Sequence, residues 1–130
     1  MRLFALGVGM SSAADPTDVR EAVAAVLGEA GLAWDEVSLV GTARHLAGDG
    51  RLALLGAEVV GFDRSDLEAV PVPSGAGPAA TRLSAPPVAE AAALLAADRL
   101  AAGAGSRLIV AKRTGRYVTV AAAEGAVHPL

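Results

Sequence analysis

The apolar residues of the chain fall into short continuous runs, and between these runs they recur at the spacing of a helix. Short apolar runs are typical of strands that are buried on both faces, as in a parallel sheet. The first run covers residues 3–9, and Gly7 and Gly9 are expected to end it. The pattern predicts five strands, at residues 3–9, 37–40, 58–62, 107–111 and 117–123.

The first helix has start and stop signals at its two ends. Asp15 is a good N-cap, Pro16 suits the first helical position, and Asp18 adds a negative charge to the first turn. Gly31 supplies the stop, because glycine readily adopts the left-handed conformation that ends many helices. The apolar residues between these signals recur at helical spacing, namely Val19, Ala22, Val23, Val26, Leu27 and Ala30.

The second half of the chain predicts shorter helices, a long loop and one long helix. A short helix is predicted at residues 49–56, and Ser65 is expected to cap a helical turn that runs to Val70. Residues 71–87 are rich in proline, glycine, alanine and serine, which predicts a loop with one short strand near residues 81–83. A long alanine-rich helix follows at residues 88–102; its expected start and stop signals are Pro86, Pro87, Gly103 and Gly105.

The order of these elements predicts the fold class. Strands alternate with helices, and the tight connection through Thr114 and Gly115 forces the last two strands into an antiparallel pair. We therefore predict an α/β fold, a three-layer α/β/α sandwich with a mixed, mostly parallel sheet of about five strands that ends in an antiparallel hairpin. With no repeat or internal boundary, residues 1–130 are predicted to form a single domain.

Composition narrows the classes of partner. Apolar residues make up 53% of the chain but aromatic residues only 3%, and the formal net charge is -3. Nucleic acid is therefore an unexpected partner, because it is bound by exposed rings and by an excess of positive charge. The chain has no cysteine, which excludes disulfides and thiolate zinc sites and is consistent with a cytoplasmic location. No cofactor is predicted.

No membrane or targeting segment is predicted. The apolar start of the chain is too short for a signal peptide and is interrupted by glycines. The alanine-rich segment at residues 89–104 contains Glu90, Asp98 and Arg99, which are incompatible with a membrane span.

Two loops that follow predicted strands carry candidate binding residues. Gly7 and Gly9 resemble the start of a dinucleotide fingerprint, but position 12 is Ser12 instead of the required glycine. A tight backbone turn at the mouth of a site is the preferred interpretation of these glycines. Ser11 and Ser12 lie where open α/β sheets often bind ligands, although they could simply bond to the loop backbone.

The loop after the second strand supplies a further set of candidates, Thr42, Arg44 and His45. His45 could serve as an acid or a base, and a plain surface position is the alternative. The two histidines, His45 and His128, are too few and too far apart to predict a metal site.

Lys112 is the one lysine of the chain, and it lies at the end of an apolar run. A compact ammonium differs from the planar guanidinium of arginine, so this position is a candidate for a ligand-facing charge; the alternative is a solubilising charge near a hairpin tip. Together with Arg107, Arg113 and Arg116 it predicts a local basic patch for a small polyanion. A charged hairpin edge that prevents aggregation is the competing interpretation.

Glu90 stands in the first turn of an otherwise apolar helix. It could be a favourable charge near the helix N-terminus, or it could point into a cleft at the sheet edge. The second interpretation is preferred because so few polar residues surround it.

Three segments, in order, resemble the CobE/CbiG C-terminal domain family of cobalamin (vitamin B12) biosynthesis. They are Gly7-Val8-Gly9, the helix opening Val88-Ala89-Glu90-Ala91-Ala92-Ala93-Leu94, and the closing strands with Lys112 and Val118-Thr119-Val120-Ala121. The chain is similar to the stand-alone form, CobE, in the aerobic pathway. In CbiG this domain follows other domains, and the resemblance implies that the complete CbiG protein opens the δ-lactone of a cobalt-precorrin and releases acetaldehyde.

The resemblance implies a corrinoid-facing cleft near Gly7, Gly9, Glu90, Lys112 and Thr119. It also implies a corrinoid (precorrin) intermediate as the ligand, and other enzymes of the cobalamin pathway as candidate partners. Corrin intermediates carry acetate and propionate side chains, which suits cationic contacts on an otherwise acidic protein.

The chain departs from the family pattern at two loops. The first turn of the family continues with a cysteine and basic residues, whereas Met10, Ser11 and Ser12 stand here. The loop after the second strand usually carries an acid and a lysine, and here Asp49 is the nearest carboxylate. These departures favour an auxiliary corrinoid binder; a cobalt-precorrin lactone hydrolase, or a component of one, is the first alternative, and a small interaction domain without a ligand is the second.

Overall fold

Five strands form one mixed sheet in the computed structural model, which describes residues 2–72, 88–102 and 105–126. The strands are β1 (Arg2–Met10), β2 (Val37–Ala43), β3 (Val59–Phe62), β4 (Ser106–Thr114) and β5 (Val118–Ala126). Their order across the sheet is β3-β2-β1-β5-β4. β1, β2 and β3 are parallel to one another, and β5 is antiparallel to both of its neighbours. The predicted mixed, mostly parallel sheet with a terminal antiparallel hairpin is confirmed.

Helices cover both faces of this sheet, as the predicted α/β/α sandwich requires. The helices are α1 (Pro16–Ala30), α2 (Gly50–Ala53), α3 (Arg64–Ala69) and α4 (Val88–Leu100). α1 and α2 pack on one face, where their buried residues join one cluster with Leu6, Val8 and Val40 of the sheet. α4 packs on the other face, and α3 packs against α4. The site described below lies at the edge of these layers.

The caps of α1 are those that the sequence predicts. The Asp15 carboxylate accepts a hydrogen bond of 2.8 Å from the Asp18 backbone N–H, and the Asp18 carboxylate accepts one of 3.1 Å from the Asp15 N–H. Gly31 ends the helix with φ +70, in the left-handed region. Both ends of α1 are thus defined by local residues, without help from the rest of the fold.

α4 lies directly on the backbone of the sheet, because glycines leave room for it. Gly7 and Gly41 are register partners on β1 and β2. A Cβ atom at Gly7 would overlap the carbonyl oxygen of Ala89, and one at Gly41 would lie 2.5 Å from that of Ala92. The same close approach explains why the buried residues of α4, apart from Glu90, are all alanines.

Several predicted boundaries were wrong. Gly7 and Gly9 do not end β1, which runs to Met10, because β1 pairs with β2 as far as Gly7 and with β5 as far as Met10. Likewise β2 continues to Ala43, so that Thr42 lies in a strand instead of a loop. A glycine weakens a strand only slightly, and pairing with a neighbouring strand outweighs that preference.

The predicted helical boundaries also shifted. The short helix predicted at residues 49–56 is Gly50–Ala53, with Asp49 as its N-cap. Ser65 does not cap α3, which begins at Arg64 after Asp63. The carboxylate of Asp63 is paired with Arg44 and makes no cap hydrogen bond. The long helix ends at Leu100, before the predicted end near residue 102.

Some predictions concern residues outside the described ranges. These are most of the loop predicted at residues 71–87, with its short strand and its two helix-opening prolines, and also Gly103 and His128. Pro71 and Val72 are described and have no regular secondary structure. In the described part of the chain, none of the helices is long and apolar enough to cross a membrane.

Candidate functional site

A cleft of about 590 Å³ opens at the edge of the sheet where β1 and β2 end. The turn between β4 and β5 and the first turn of α4 form its other walls; we call it the hairpin cleft. Its polar lining consists of Ser11, His45, Lys112, Thr114, Tyr117 and Thr119. Its other lining residues are small or apolar, namely Gly9, Met10, Ala43, Leu46, Val88, Ala89, Gly115 and Val118. Ligands of open α/β sheets commonly bind at this edge, beyond the carboxyl ends of the parallel strands.

The hairpin cleft brings together part of the predicted site. Five of the predicted binding residues line it, namely Gly9, Ser11, His45, Lys112 and Thr119. The others do not line it and are Gly7, Ser12, Thr42, Arg44, Glu90 and Arg113. The polar lining residues that were missed are Thr114 and Tyr117, which flank the hairpin turn; the available signal was the single tyrosine of the chain, two residues after Gly115.

A bulged segment of β4 presents Lys112 to the cleft. The pairing of β4 with β5 is irregular between Val110 and Arg113, where β4 has one more residue than its partner. Bulges of this kind bend a strand and redirect its side chains, often next to functional sites. The Lys112 side chain is half-buried, and no salt bridge within residues 2–72, 88–102 and 105–126 involves its ammonium group. The geometry thus supports the ligand-facing interpretation of this lysine.

Glu90 fixes this bulge from the opposite wall. Its side chain is fully buried in the first turn of α4, and one carboxylate oxygen accepts a hydrogen bond of 3.0 Å from the backbone N–H of Lys112. The expectation that Glu90 points into the cleft was wrong, because its carboxylate is turned to the backbone of β4. It holds the strand that carries the lysine.

The charge of the hairpin cleft differs from that of the whole protein. The chain has a formal net charge of -3, yet no described aspartate or glutamate lines the cleft. Lys112 is therefore the charged group of the described lining, next to hydroxyl groups and apolar side chains. A cavity of this kind favours a ligand that combines anionic groups with an apolar body.

The predicted basic patch is not formed. Arg107 lies at the other end of β4, where its guanidinium donates a hydrogen bond of 2.5 Å to Glu124 and lowers the pKa of that carboxyl group. Arg113 points toward α1 and pairs with Glu29 at 2.9 Å. The interpretation as one patch was wrong, because each arginine meets a different neighbour; the fourth member of the predicted patch, Arg116, lies over the ring of Tyr117.

The remaining predicted residues have structural contacts. The Thr42 hydroxyl is buried and donates a hydrogen bond of 2.7 Å to the carbonyl oxygen of Val8, which ties β2 to β1. Arg44 pairs with Asp63 at 2.8 Å. Ser12 is exposed on the loop after β1, outside the cleft lining. These contacts leave Gly9, Ser11, His45, Lys112 and Thr119 as the candidates that the geometry supports.

Two loops of the cleft are joined to each other through their backbones. The Ser11 N–H donates a hydrogen bond of 3.0 Å to the carbonyl oxygen of Tyr117, and the Gly115 N–H donates one of 2.7 Å to Val118. The Ser11 hydroxyl accepts a hydrogen bond of 3.2 Å from the Ala13 N–H. The loop after β1 and the hairpin turn therefore form one wall.

Arg51 holds the loop after β1 in place. Its guanidinium donates hydrogen bonds of 3.0 Å to the carbonyl oxygen of Ser11 and 2.6 Å to that of Ala14. Asp49 orients the guanidinium by accepting bonds of 2.9 and 2.7 Å from it. No sequence pattern indicates this contact, because the carbonyl groups that Arg51 binds are remote in the chain.

The Asp49–Arg51 pair makes a pH-dependent contribution to stability. The hydrogen bonds from Arg51 lower the pKa of Asp49 from 3.8 to about 2. A carboxyl group with a lowered pKa stabilises the fold at a pH above its unfolded pKa, and this contribution is lost as the pH falls through the folded pKa. In urea unfolding, Asp49→Asn should thus lower the free energy of unfolding near neutral pH, and its difference from the wild type should shrink between pH about 4 and about 2.

Arg51→Gln provides the matched control for this prediction. In that background Asp49 has lost the guanidinium and keeps only the N-cap hydrogen bond from the backbone N–H of residue 51, so the further change Asp49→Asn should have a clearly smaller pH-dependent effect than in the wild type. A wild-type advantage over Asp49→Asn that persists unchanged to pH 2 would contradict the assignment.

Two other clefts lie on the face of the sheet that α4 covers, and His45 lines one of them. One of about 590 Å³ contains the Arg44–Asp63 pair, and one of about 760 Å³ lies between α3 and α4. As for metals, no group of three or more His, Asp and Glu side chains in the described ranges could hold an ion. The hairpin cleft is where the predicted residues converge.

Comparisons with known proteins agree on one family of folds. The crystal structure of CobE, a protein from the cobalamin (vitamin B12) biosynthetic pathway, is similar with a TM-score of 0.80 and 26% identity, over 95% of this chain and 93% of CobE. Cobalamin biosynthesis protein chiG from Agrobacterium tumefaciens str. C58 is similar with a TM-score of 0.62 and 28% identity, over 93% of this chain and 97% of chiG.

A third solved structure is larger. A cobalamin biosynthesis protein G homologue from Sulfolobus solfataricus matches 95% of this chain with a TM-score of 0.71 and 20% identity, and the match spans 37% of that protein. At this identity the likeness shows the fold alone. A comparison with the curated proteins finds none that matches the chain.

The family-level comparison extends over almost the whole sequence. A family model described as Cobalamin synthesis G C-terminus matches residues 4–123. This range includes every strand that forms the hairpin cleft, and the chain therefore belongs to this family of cobalamin biosynthesis proteins.

Proposed function

We propose that the hairpin cleft binds a corrin-ring intermediate of cobalamin biosynthesis, and that the protein acts as an auxiliary binder of that intermediate. The observation that carries the proposal is the half-buried Lys112 in a cleft whose described lining has no carboxylate. A corrin intermediate has a largely apolar ring with acetate and propionate side chains. One of these carboxylates would pair with the ammonium group, and the ring would contact the apolar wall.

The contacts within the cleft favour binding over catalysis by this chain alone. Ser11 lies at the cleft, but its hydroxyl accepts a hydrogen bond from the adjacent loop backbone, as a structural serine does. Glu90 is buried and turned to the backbone of Lys112. The serine hydroxyl is thus engaged by the loop and not placed as an activated nucleophile, and the buried carboxylate does not line the cleft.

A hydrolytic role on a cobalt-precorrin lactone is the second candidate, and His45 is the observation that favours it. His45 is exposed at the rim of the hairpin cleft, where a ring nitrogen could accept a proton from water. In that case the purified protein would release acetaldehyde from the lactone. Product analysis therefore separates the hydrolase from the binder.

The test of the binding role compares two corrinoids that differ in their side chains. Cobyrinic acid carries free carboxylates, whereas in cobinamide these groups are amides. We expect the absorbance spectrum of cobyrinic acid to change on titration with the protein, and its dissociation constant to be at least about tenfold lower than that of cobinamide. Absence of binding to either corrinoid would contradict the proposal and would favour an interaction domain without this ligand.

A further inference from the structure

Tyr117 has an unusual backbone conformation at the rim of the hairpin cleft. Its φ is 62, in the left-handed region that glycine adopts easily and that is costly for a bulky side chain. Its side chain is also one of the exposed large apolar groups, with 49% of its surface accessible. A strained and exposed aromatic residue needs an explanation other than packing.

The backbone of the turn explains the conformation but not the side chain. With this conformation the Tyr117 carbonyl oxygen accepts the hydrogen bond from the Ser11 N–H, which joins the two loops of the cleft. A glycine at position 117 would supply the same carbonyl group with less strain. The turn therefore requires the carbonyl group of residue 117 but does not require the tyrosine ring.

The position of the ring indicates a role in ligand binding. Tyr117 lines the hairpin cleft together with Lys112, and the chain has only one tyrosine, one tryptophan and two phenylalanines. The guanidinium of Arg116 lies 5.5 Å from the centroid of the ring and covers one of its faces. Because the side chain is exposed, a flat ligand can stack on the ring, and the neighbouring cation strengthens the attraction for an anionic one.

We infer that Tyr117 is a specificity-determining residue, whose ring stacks on the planar conjugated part of the ligand while Lys112 binds a carboxylate. This inference rests on the proposed corrinoid function and adds a second requirement to it, a flat conjugated system beside the carboxylates. A small flexible polycarboxylate would satisfy Lys112 but not Tyr117.

The inference makes opposite predictions for stability and for binding. Tyr117→Gly removes the strain together with the ring, so its urea midpoint should equal or exceed that of the wild type. The same variant should bind cobyrinic acid about tenfold more weakly or worse, which is the size of effect that loss of an aromatic stacking partner produces. Tyr117→Phe keeps the ring and should bind within about twofold of the wild type.

The outcomes separate this inference from the proposed function. If the wild type binds cobyrinic acid and Tyr117→Gly binds it equally well, the role of Tyr117 is overturned and the proposed function stands. If the wild type does not bind, the proposed function fails, and the inference fails with it. A Tyr117→Gly protein with a clearly lower urea midpoint would show that the ring is a packing element, which also overturns the inference. Tyr117→Asn, another residue that tolerates positive φ, repeats both measurements if the glycine variant does not fold.

Discussion

Replacing Lys112 by glutamine should weaken the binding of cobyrinic acid by about 10- to 100-fold. A hydrogen bond to a charged group contributes roughly 1.5–3 kcal/mol, and the change removes the positive charge while it retains an unbranched side chain with a polar end. The stability of the protein should change by less than about 1 kcal/mol, because no salt bridge in the described ranges involves this side chain. Titration by absorbance and urea unfolding measure the two effects.

The neighbouring residue provides a matched control for this prediction. Arg113→Gln removes one positive charge at the next position, but its guanidinium points to Glu29 and not to the cleft. Its effect on binding should therefore stay within about twofold, as for an exposed ion pair remote from the ligand. Equal losses in the two variants would mean that only the overall charge of the hairpin matters, and Lys112 would then be a solvated charge.

A second control changes the ligand instead of the protein. Cobinamide has amides in place of the carboxylates, so the loss caused by Lys112→Gln should be much smaller with cobinamide than with cobyrinic acid. If both corrinoids lose affinity to the same extent, the lysine contacts the ring system or supports the fold, and the carboxylate assignment is wrong.

Replacing Gly7 by alanine should destabilise the fold by roughly 3 kcal/mol or more. The added Cβ would overlap the carbonyl oxygen of Ala89 and would also lie 2.5 Å from the backbone nitrogen of Ala93. Both are backbone atoms of α4, so no side chain can rotate away, and the whole helix would have to move off the sheet. Urea unfolding measures the loss of stability.

Two other glycines are matched controls for this substitution. Gly28 is exposed in α1 with no atom near its would-be Cβ, so Gly28→Ala should stabilise the helix by roughly 0.5–1 kcal/mol. At Gly9 a Cβ would lie 3.6 Å from the Cβ of Val88, an ordinary contact. Gly9→Ala should therefore fold normally. A Gly7→Ala protein as stable as the Gly9→Ala protein would contradict the packing of α4.

The two glycines of β1 show how far a glycine pattern in the sequence can predict a binding site. Gly7 and Gly9 were both predicted to bind the ligand at a turn, and both lie inside β1 instead. Gly7 is buried under α4, whereas Gly9 lines the hairpin cleft. A glycine signals that a side chain is excluded, but the sequence does not say whether a helix, a turn or a ligand excludes it.

The basic residues show that charge clusters in the sequence are equally limited as predictors of a site. The basic residues Arg107, Lys112, Arg113 and Arg116 are close in sequence and were grouped as one patch. In the structure two of them pair with Glu124 and Glu29, Arg116 lies over the Tyr117 ring at the rim, and Lys112 is the one that lines the hairpin cleft. Strand alternation was predictable, but the bulges that shift the register of β4 and the acids that meet each arginine were not.

The family membership confirms the resemblance that the sequence suggested. The matched range of residues 4–123 includes the first glycines, the start of α4 and the closing strands on which that resemblance was based. Its implied glutamate and lysine do meet, through the backbone N–H of Lys112, although the glutamate is a support for β4 and not part of the cleft lining.

By itself the sequence determined what depends on local physics, namely the strand runs, the capped helix α1 and the fold class. Asp15, Asp18 and Gly31 act within a few residues, so the helix that they define could be predicted without the rest of the chain. The tertiary structure alone decided the site. Long-range contacts from Ser11 to Tyr117, from Arg51 to the loop after β1, and from Glu90 to β4 shape the hairpin cleft. Such contacts depend on where helices pack on the sheet, which no local pattern encodes.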